Sequence, residues 1–353
     1  MVTDCISVRP QCGTIEFMIY SRRAAMAAAW PLVLSGQGGD LIWRELPVLP
    51  RGLAGQMVGT IGNLLLVAGG TWWEGTPWNG GKKFWSDAVY GLRPGDKGWR
   101  NLGKLPRPLA YAAAVSVRSA VLLVGGQTDS SVSSQVLELT LGGGGIRIKE
   151  LPRMPLPTAW TCAAVLSDRL YVAGGGDGFP STNQAYRTFW SYNLKNPAEE
   201  WRDLETWPGS PRFLAVTATV GDTLYLMGGT DFGSGKRLFR KDAFAFQPKT
   251  GWRKIADMPV ALQAGVAAEF RGQPVVFGGN DGAWADRESD PNHPGFRREV
   301  FAYHPERDSW NQIGRMPASL VTTGVAKWEG GLAIPGGEDR PGYRSARVVS
   351  LQL

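Results

Sequence analysis

Residues 99–126 read WRNLGKLPRPLAYAAAVSVRSAVLLVGG. Two apolar runs, 110–117 and 120–124, flank a short polar turn, and the second ends on Gly125-Gly126. Short runs of alanine and β-branched residues bounded by turn residues read as strands. Trp99 stands seven residues before Pro106, and Gly125 stands nineteen after it. The same frame recurs along the chain. Gly-Gly pairs close an apolar run at Gly69-Gly70, Gly125-Gly126, Gly174-Gly175, Gly228-Gly229, Gly278-Gly279 and Gly336-Gly337. The matching prolines are Pro50, Pro106, Pro155, Pro208, Pro259 and Pro317. Seven residues before them stand Trp43, Trp99, Ile148, Trp201, Trp252 and Trp310. The proline-to-glycine spacing is 19 in five repeats and 20 in the fourth. A frame of roughly 50 residues held six times is the signature of a repeat architecture.

Within one repeat, the run after the proline and the run ending at Gly-Gly are strands one and two. A variable loop leads to a third run such as 136–141, and the tryptophan-bearing segment is the fourth strand. Four short strands per repeat make a propeller blade. Gly-Gly, an aromatic in strand three (Tyr90, Tyr192, Phe246 or Tyr303) and then Trp resemble the kelch motif. The resemblance covers 41–353 and implies an all-β, six-bladed kelch propeller forming a single domain. The fourth-strand tryptophans are expected to pack between blades. The last repeat reaches its third strand at 346–351 and stops, while 41–45, with Trp43, offers the missing fourth strand. The N-terminal strand should therefore complete the last blade, and a closed ring has no exposed sheet edges.

Composition narrows the function. Of 353 residues, 38 are Lys or Arg and 31 Asp or Glu, a balance of 38 − 31 = +7. The cations are dispersed, without the one-sided basic patch of a nucleic-acid surface. An anionic small molecule is the partner this favours. Two histidines exclude a three-histidine metal centre, and Cys5, Cys12 and Cys162 are too few for a disulfide framework or a four-cysteine zinc site. No run reaches the 18 apolar residues of a membrane span. After Met18, Arg22-Arg23 precede the apolar run 24–34 and a small-residue stretch, the pattern of a secretory signal. Residues 1–40 are accordingly read as a leader of a periplasmic or secreted chain. The alternative is a start placed too early on a cytoplasmic chain, Met18 being itself a candidate start.

Strands one and two of a blade are antiparallel, so the start of strand one and the loop after Gly-Gly share one face of the ring. Those loops are long and unequal: 71–86, 176–188, 231–241 and 280–298. Unequal loops on a rigid scaffold are where binding chemistry concentrates. The residues just after Gly-Gly are Thr71, Gln127, Gly176, Thr230, Asn280 and Glu338, of which one is charged. Sixteen residues before the first glycine stand Leu53, Leu109, Thr158, Arg212, Leu262 and Leu320. Two residues further on stand Gly55, Tyr111, Trp160, Leu214, Ala264 and Thr322. Glu338, Arg212, Tyr111 and Trp160 break their positions' own rule, and such breaks mark candidate functional residues. The competing reading of Arg212 is an ion pair between blades. Trp72, Trp73, Asn280, Gln127 and Arg107 complete the candidate binding set.

The last blade reads Gly336-Gly337-Glu338-Asp339-Arg340-Pro341-Gly342-Tyr343-Arg344. A Pro-Gly turn folds Arg344 back toward Glu338. This segment resembles G-E-x-x-P-G-x-R of the bacterial N-acetylneuraminate epimerases (sialic acid mutarotases), and its place in the final blade is similar to the circularly permuted members. The resemblance implies an isomerase, with Glu338 as proton acceptor and Arg344 at the family's spacing. Mutarotation opens and recloses a sugar ring by general acid–base chemistry, with no metal or redox cofactor. Arg212 or Arg344 would hold a substrate carboxylate, Trp72, Trp73 and Trp160 would cover the sugar, and Tyr111, a water or Glu338 itself would serve as acid. The alternative is a non-catalytic carbohydrate- or protein-binding propeller. A copper radical oxidase is disfavoured, because His293 and His304 share one repeat with no cysteine near. For a sialidase, 94–99 is only a faint echo of one Asp box.

Overall fold

Each repeat folds as a four-stranded antiparallel sheet. The computed structural model describes residues 41–178 and 184–352. The leader reading, Cys5 and Cys12 lie outside the described residues. Blade one is Met57–Ile61, Leu64–Ala68, Ala88–Leu92 and Arg100–Lys104, paired in that order. Six such sheets are described. In the sixth, Ala326–Trp328, Gly331–Arg340 and Tyr343–Leu351 are joined on the outside by Trp43–Leu46, with Trp43 opposite Leu351. The chain thus closes its ring with its own N-terminal strand. No described helix is long and apolar enough to cross a membrane.

Six apolar clusters hold the blades together, one at each junction. Between blades two and three, for example, Leu122, Val124 and Val136 pack on Leu170, Val172 and Trp190. Burying each such side chain contributes about 1.5–3 kcal/mol. The fourth-strand tryptophans reach the segment that leads into their own blade. The indole N–H groups of Trp99, Trp201 and Trp310 donate to the carbonyls of Pro47, Pro152 and Ala256 at 2.8, 3.1 and 2.9 Å.

The Gly-Gly pairs are required by the blade junctions. At Gly125 the backbone is left-handed (φ 70°), and a Cβ would lie 2.3 Å from the Thr158 carbonyl oxygen of the next blade. That same oxygen accepts the Gly126 amide at 2.9 Å. Equivalent bonds run from Gly70 to Leu109, Gly175 to Arg212, Gly229 to Leu262 and, across the closing seam, Gly337 to Leu53. Only glycine permits both the angle and the approach.

A second belt of bonds encircles the axis. The amides of Tyr111, Trp160, Leu214, Ala264, Thr322 and Gly55 donate in turn to the carbonyls of Gly55, Tyr111, Trp160, Leu214, Ala264 and Thr322, at 2.6–3.1 Å. All six residues have φ between 52° and 69°. This explains why the apolar run 110–117 becomes a strand only at Ala113–Val117: Tyr111 turns left-handed to join the belt. The closing strand likewise covers Trp43–Leu46 rather than 41–45.

The belt surrounds a channel cavity of about 200 Å³ lined by Gln56, Tyr111, Trp160, Thr161, Thr323 and their neighbours at the starts of the inner strands. Six bridges fix the face on which the loops stand: Ala54–Thr71, Ala110–Gln127, Ala159–Gly176, Phe213–Thr230, Gln263–Asn280 and Val321–Glu338. Each pairs the residue after Gly-Gly with the residue before the belt, so repeat four keeps the common alignment at Arg212. Its additional residue is absorbed in the turn at Gly209 and Ser210, whose carbonyl accepts the Trp207 indole N–H at 3.1 Å. The larger cavity, about 660 Å³, opens at the opposite ends of the inner strands, around Ser116, Arg118, Asp168, Glu269 and Lys327.

Candidate functional site

Glu338 and Arg344 stand opposite one another in the last blade's hairpin. Gly342, with φ 79°, makes the turn between them. A Glu338 carboxylate oxygen lies 2.5 Å from Arg344 Nη1, and the other accepts the Gly342 amide at 3.3 Å. Both side chains are largely buried, Arg344 to 9% and Glu338 to 16% exposure. Arg344 Nε is buried without a hydrogen-bond partner among the described residues. A buried guanidinium edge with free N–H donors suits a second carboxylate, because its fork matches two oxygens.

Loops from other blades converge here. From blade one, Thr71–Glu74 pairs with Lys82–Trp85, and the hairpin leans on the last blade through Trp78, whose indole N–H points at the Pro341 carbonyl, 3.5 Å away. Trp72 stacks on Phe84 at 5.3 Å, and the Arg51 guanidinium lies 4.2 Å from the Trp72 ring centroid. The indole N–H groups of Trp72 and Trp73 are buried and unpartnered among the described residues. From blade four, Thr230–Asp231 pairs with Leu238–Phe239. From blade five comes the loop after Asn280, whose side-chain oxygen accepts the Gly282 amide at 2.9 Å. A Cβ at Gly282 would sit 2.5 Å from the Phe239 ring, so these two loops are in contact.

Tyr111 and Trp160 lie in a chain of rings crossing four blades. Successive centroids from Trp85 through Tyr111, Trp160 and Phe213 to Phe232 are 5.6, 5.8, 5.3 and 5.8 Å apart. Aromatic surface of this kind covers the apolar faces of a sugar ring, with polar groups setting its orientation. Gln127 is buried beside this chain, bridged to Ala110 and Val132.

Two candidates stand elsewhere. Arg212 is fully buried, and its guanidinium is engaged by Asp242 at 2.8 and 2.9 Å and by the Gly228 carbonyl at 2.9 Å. Trp207 and Phe244 flank it. This is an ion pair inside blade four, not between blades, and it leaves the guanidinium no face for a ligand. Arg107 is exposed and donates to Ser133 and Gln135 of its own blade.

The structure adds two residues that repeat comparison missed. Arg237 lies in the blade-four loop, between Gly233–Gly235 and Leu238–Phe239, and Glu288 follows Ala285–Arg287 in the blade-five loop. Their closest charged atoms are 3.7 Å apart. Burial lowers the Arg237 pKa, with Glu288 and then Glu338 opposing. Burial raises the Glu288 carboxyl above the ordinary range; Arg237 opposes this and Glu338 adds to it. Asp339 is raised chiefly by burial and also feels Glu338. Glu338 therefore stands in a shared field with Arg344, Arg237 and Glu288. The loops 231–241 and 280–298 are visible in the sequence, but no equivalent positions exist in other repeats to rank their residues.

A Kelch motif model matches residues 161–206. The N-acetylneuraminate epimerase of Haemophilus influenzae (strain PittEE) is 26% identical over 224 residues, 56% of this chain and 58% of that protein. That of Pasteurella multocida (strain Pm70) is 27% identical over 224 residues, 56% and 57%. That of Yersinia enterocolitica is 35% identical over 124 residues, 32% and 31%. The matched stretch thus spans little more than half the length of the first two relatives and about a third of the last. A solved structure titled "Structure of YjhT" superposes with a TM-score of 0.66 at 17% identity, covering 87% of this chain and 97% of that one. The propeller fold is shared, and the chain resembles the N-acetylneuraminate epimerases.

Proposed function

We propose that this chain is a mutarotase for N-acetylneuraminate or a related acidic sugar, working without a cofactor. The observation that carries the reading is the buried Glu338–Arg344 pair, whose arginine keeps an unpartnered Nε, in a mouth walled by aromatic rings. The resemblance to the epimerases supports the substrate class.

The chemistry needs little machinery. Glu338 removes the proton of the anomeric hydroxyl, the ring carbon–oxygen bond breaks, and the ring oxygen gains a proton. The open ketone turns and recloses on its other face. Proton transfer by a positioned carboxylate contributes about 10²–10⁴-fold. Arg344 offers its free edge to an anionic oxygen, and the aromatic chain covers the apolar sugar face.

Proton NMR of N-acetylneuraminate anomers, after dissolving one pure form, tests this directly. Catalytic amounts of the protein should speed equilibration, and Glu338→Gln should cut the acceleration by about 100-fold. Saturable binding of the sugar with no acceleration would establish the binding-propeller reading instead.

A further inference from the structure

The anomeric carbon of a 2-keto sugar acid bears a hydroxyl and a carboxylate, and the two anomers differ by exchange of these groups. A site that opens one anomer and closes the other is best served by a base and an anion-binding cation at both positions. The mouth contains two pairs of this composition, Glu338 with Arg344 and Glu288 with Arg237.

The second pair is not a closed salt bridge. Its 3.7 Å separation exceeds the roughly 2.7–2.9 Å of a charge-assisted hydrogen bond. Arg237 Nε is buried without a partner among the described residues, as is Arg344 Nε. Each guanidinium therefore keeps donors for a carboxylate from outside the protein. The Arg237 guanidinium lies 5.9 and 5.6 Å from the Phe232 and Phe239 ring centroids, held against an apolar wall that continues the aromatic chain. The blade-five loop that carries Glu288 packs on the hairpin that carries Glu338, since a Cβ at Gly295 would lie 2.8 Å from the Asp339 carbonyl oxygen, and Glu338 acts electrostatically on both Arg237 and Glu288.

We infer that the two pairs are alternate stations of one reaction, each glutamate serving as base for one anomer while the arginine of the other pair holds the carboxylate. This rests on the mutarotase reading. In the first anomer Arg237 binds the carboxylate and Glu338 takes the hydroxyl proton. The O–H electron pair becomes the carbonyl bond, and the ring C–O bond breaks. A water molecule carries the proton from Glu338 to the freed ring oxygen. The open ketone turns about its bond to the next carbon, bringing the carbonyl oxygen to Glu288 and the carboxylate to Arg344. The chain hydroxyl then attacks the carbonyl carbon, and its proton passes through water to Glu288 and on to the new anomeric oxygen. Atoms balance, nothing is oxidised, and both glutamates return to their starting state.

The test is the anomer-equilibration assay on Glu288→Gln, Glu338→Gln and the double variant, with thermal unfolding as a control for folding. Each single variant should lose about 100-fold in rate. Because the stations act in series, the double variant should be no slower than the slower single one. Arg237→Met should raise KM for N-acetylneuraminate at least about tenfold, the value of a charged hydrogen bond. Glu288→Asp, a milder change, should fall between wild type and Glu288→Gln. A folded Glu288→Gln or Glu288→Asp at wild-type rate, or singles whose losses multiply in the double variant, overturns this inference while the mutarotase reading stands. A wild-type protein that speeds no sugar removes both.

Discussion

Arg212 and Asp242 meet in a two-point ion pair, Nη1 to Oδ1 at 2.9 Å and Nη2 to Oδ2 at 2.8 Å, thirty residues apart in one blade. Arg212 is fully buried and Asp242 retains 23% exposure. Arg212→Leu restores the side chain found at four of the equivalent positions, yet it strands Asp242 and leaves the Gly228 carbonyl without its charged donor. Breaking one side of a buried pair costs about 3–5 kcal/mol, and the partial exposure of Asp242 favours the lower end. The melting temperature should fall by several degrees, while the proposed mutarotation per folded molecule is unchanged. A loss of sugar turnover at unchanged melting temperature would return Arg212 to the site.

That pair also shows what a repeat comparison can and cannot read. The six-fold frame was legible because glycine at the blade junction answers a local demand: left-handed backbone against a neighbouring carbonyl leaves no alternative residue. The closing strand was legible because the last repeat lacked one. Glu338 and Arg344 were legible because they stand six positions apart in one hairpin. Arg212 stood out for a different reason, since its acid stands just before the third strand of its own blade, Ala243–Gln247, and the sequence does not show that contact. Arg237 and Glu288 come from loops without counterparts in the other blades, so only the fold brings them beside Glu338.

The junction glycines separate two costs of adding a methyl group. Gly125 and Gly143 both have positive φ, 70° and 64°, but Gly125 faces the Thr158 carbonyl at 2.3 Å and Gly143 faces open space. Gly143→Ala should cost only the left-handed strain, about 1–2 kcal/mol. Gly125→Ala adds a clash with backbone that cannot move without parting blades two and three, so its total should exceed about 4 kcal/mol, the range reserved for large structural damage. Equal shifts in thermal unfolding would show that the junction is softer than its geometry implies.

Cys162 is buried and its thiol points at the Ala215 carbonyl, 3.1 Å away. Burial pushes its pKa up to about 12, with Arg212 opposing. The thiolate is the reactive form, so the native protein should leave Cys162 unmodified by iodoacetamide at pH 8. Peptide mapping should find it alkylated only after denaturation. Rapid native labelling would mean that this blade opens readily.

Glu288 should leave a mark on the pH dependence of stability. Burial, reinforced by Glu338, raises its carboxyl above the model-peptide value of 4.5. The folded state therefore binds this proton more tightly than the unfolded chain does. A group of this kind contributes stability that is fully present below pH 4.5 and is lost as pH rises through the raised folded value. Glu288→Gln removes that loss, so the variant should gain in melting temperature relative to wild type as pH rises from 4.5 toward neutrality. The side chain is one-third exposed, and solvent screening keeps the effect small. The sign still decides the matter. A variant that loses stability relative to wild type as pH rises would show that Arg237 lowers the carboxyl by more than burial raises it. The pair would then be a closed salt bridge.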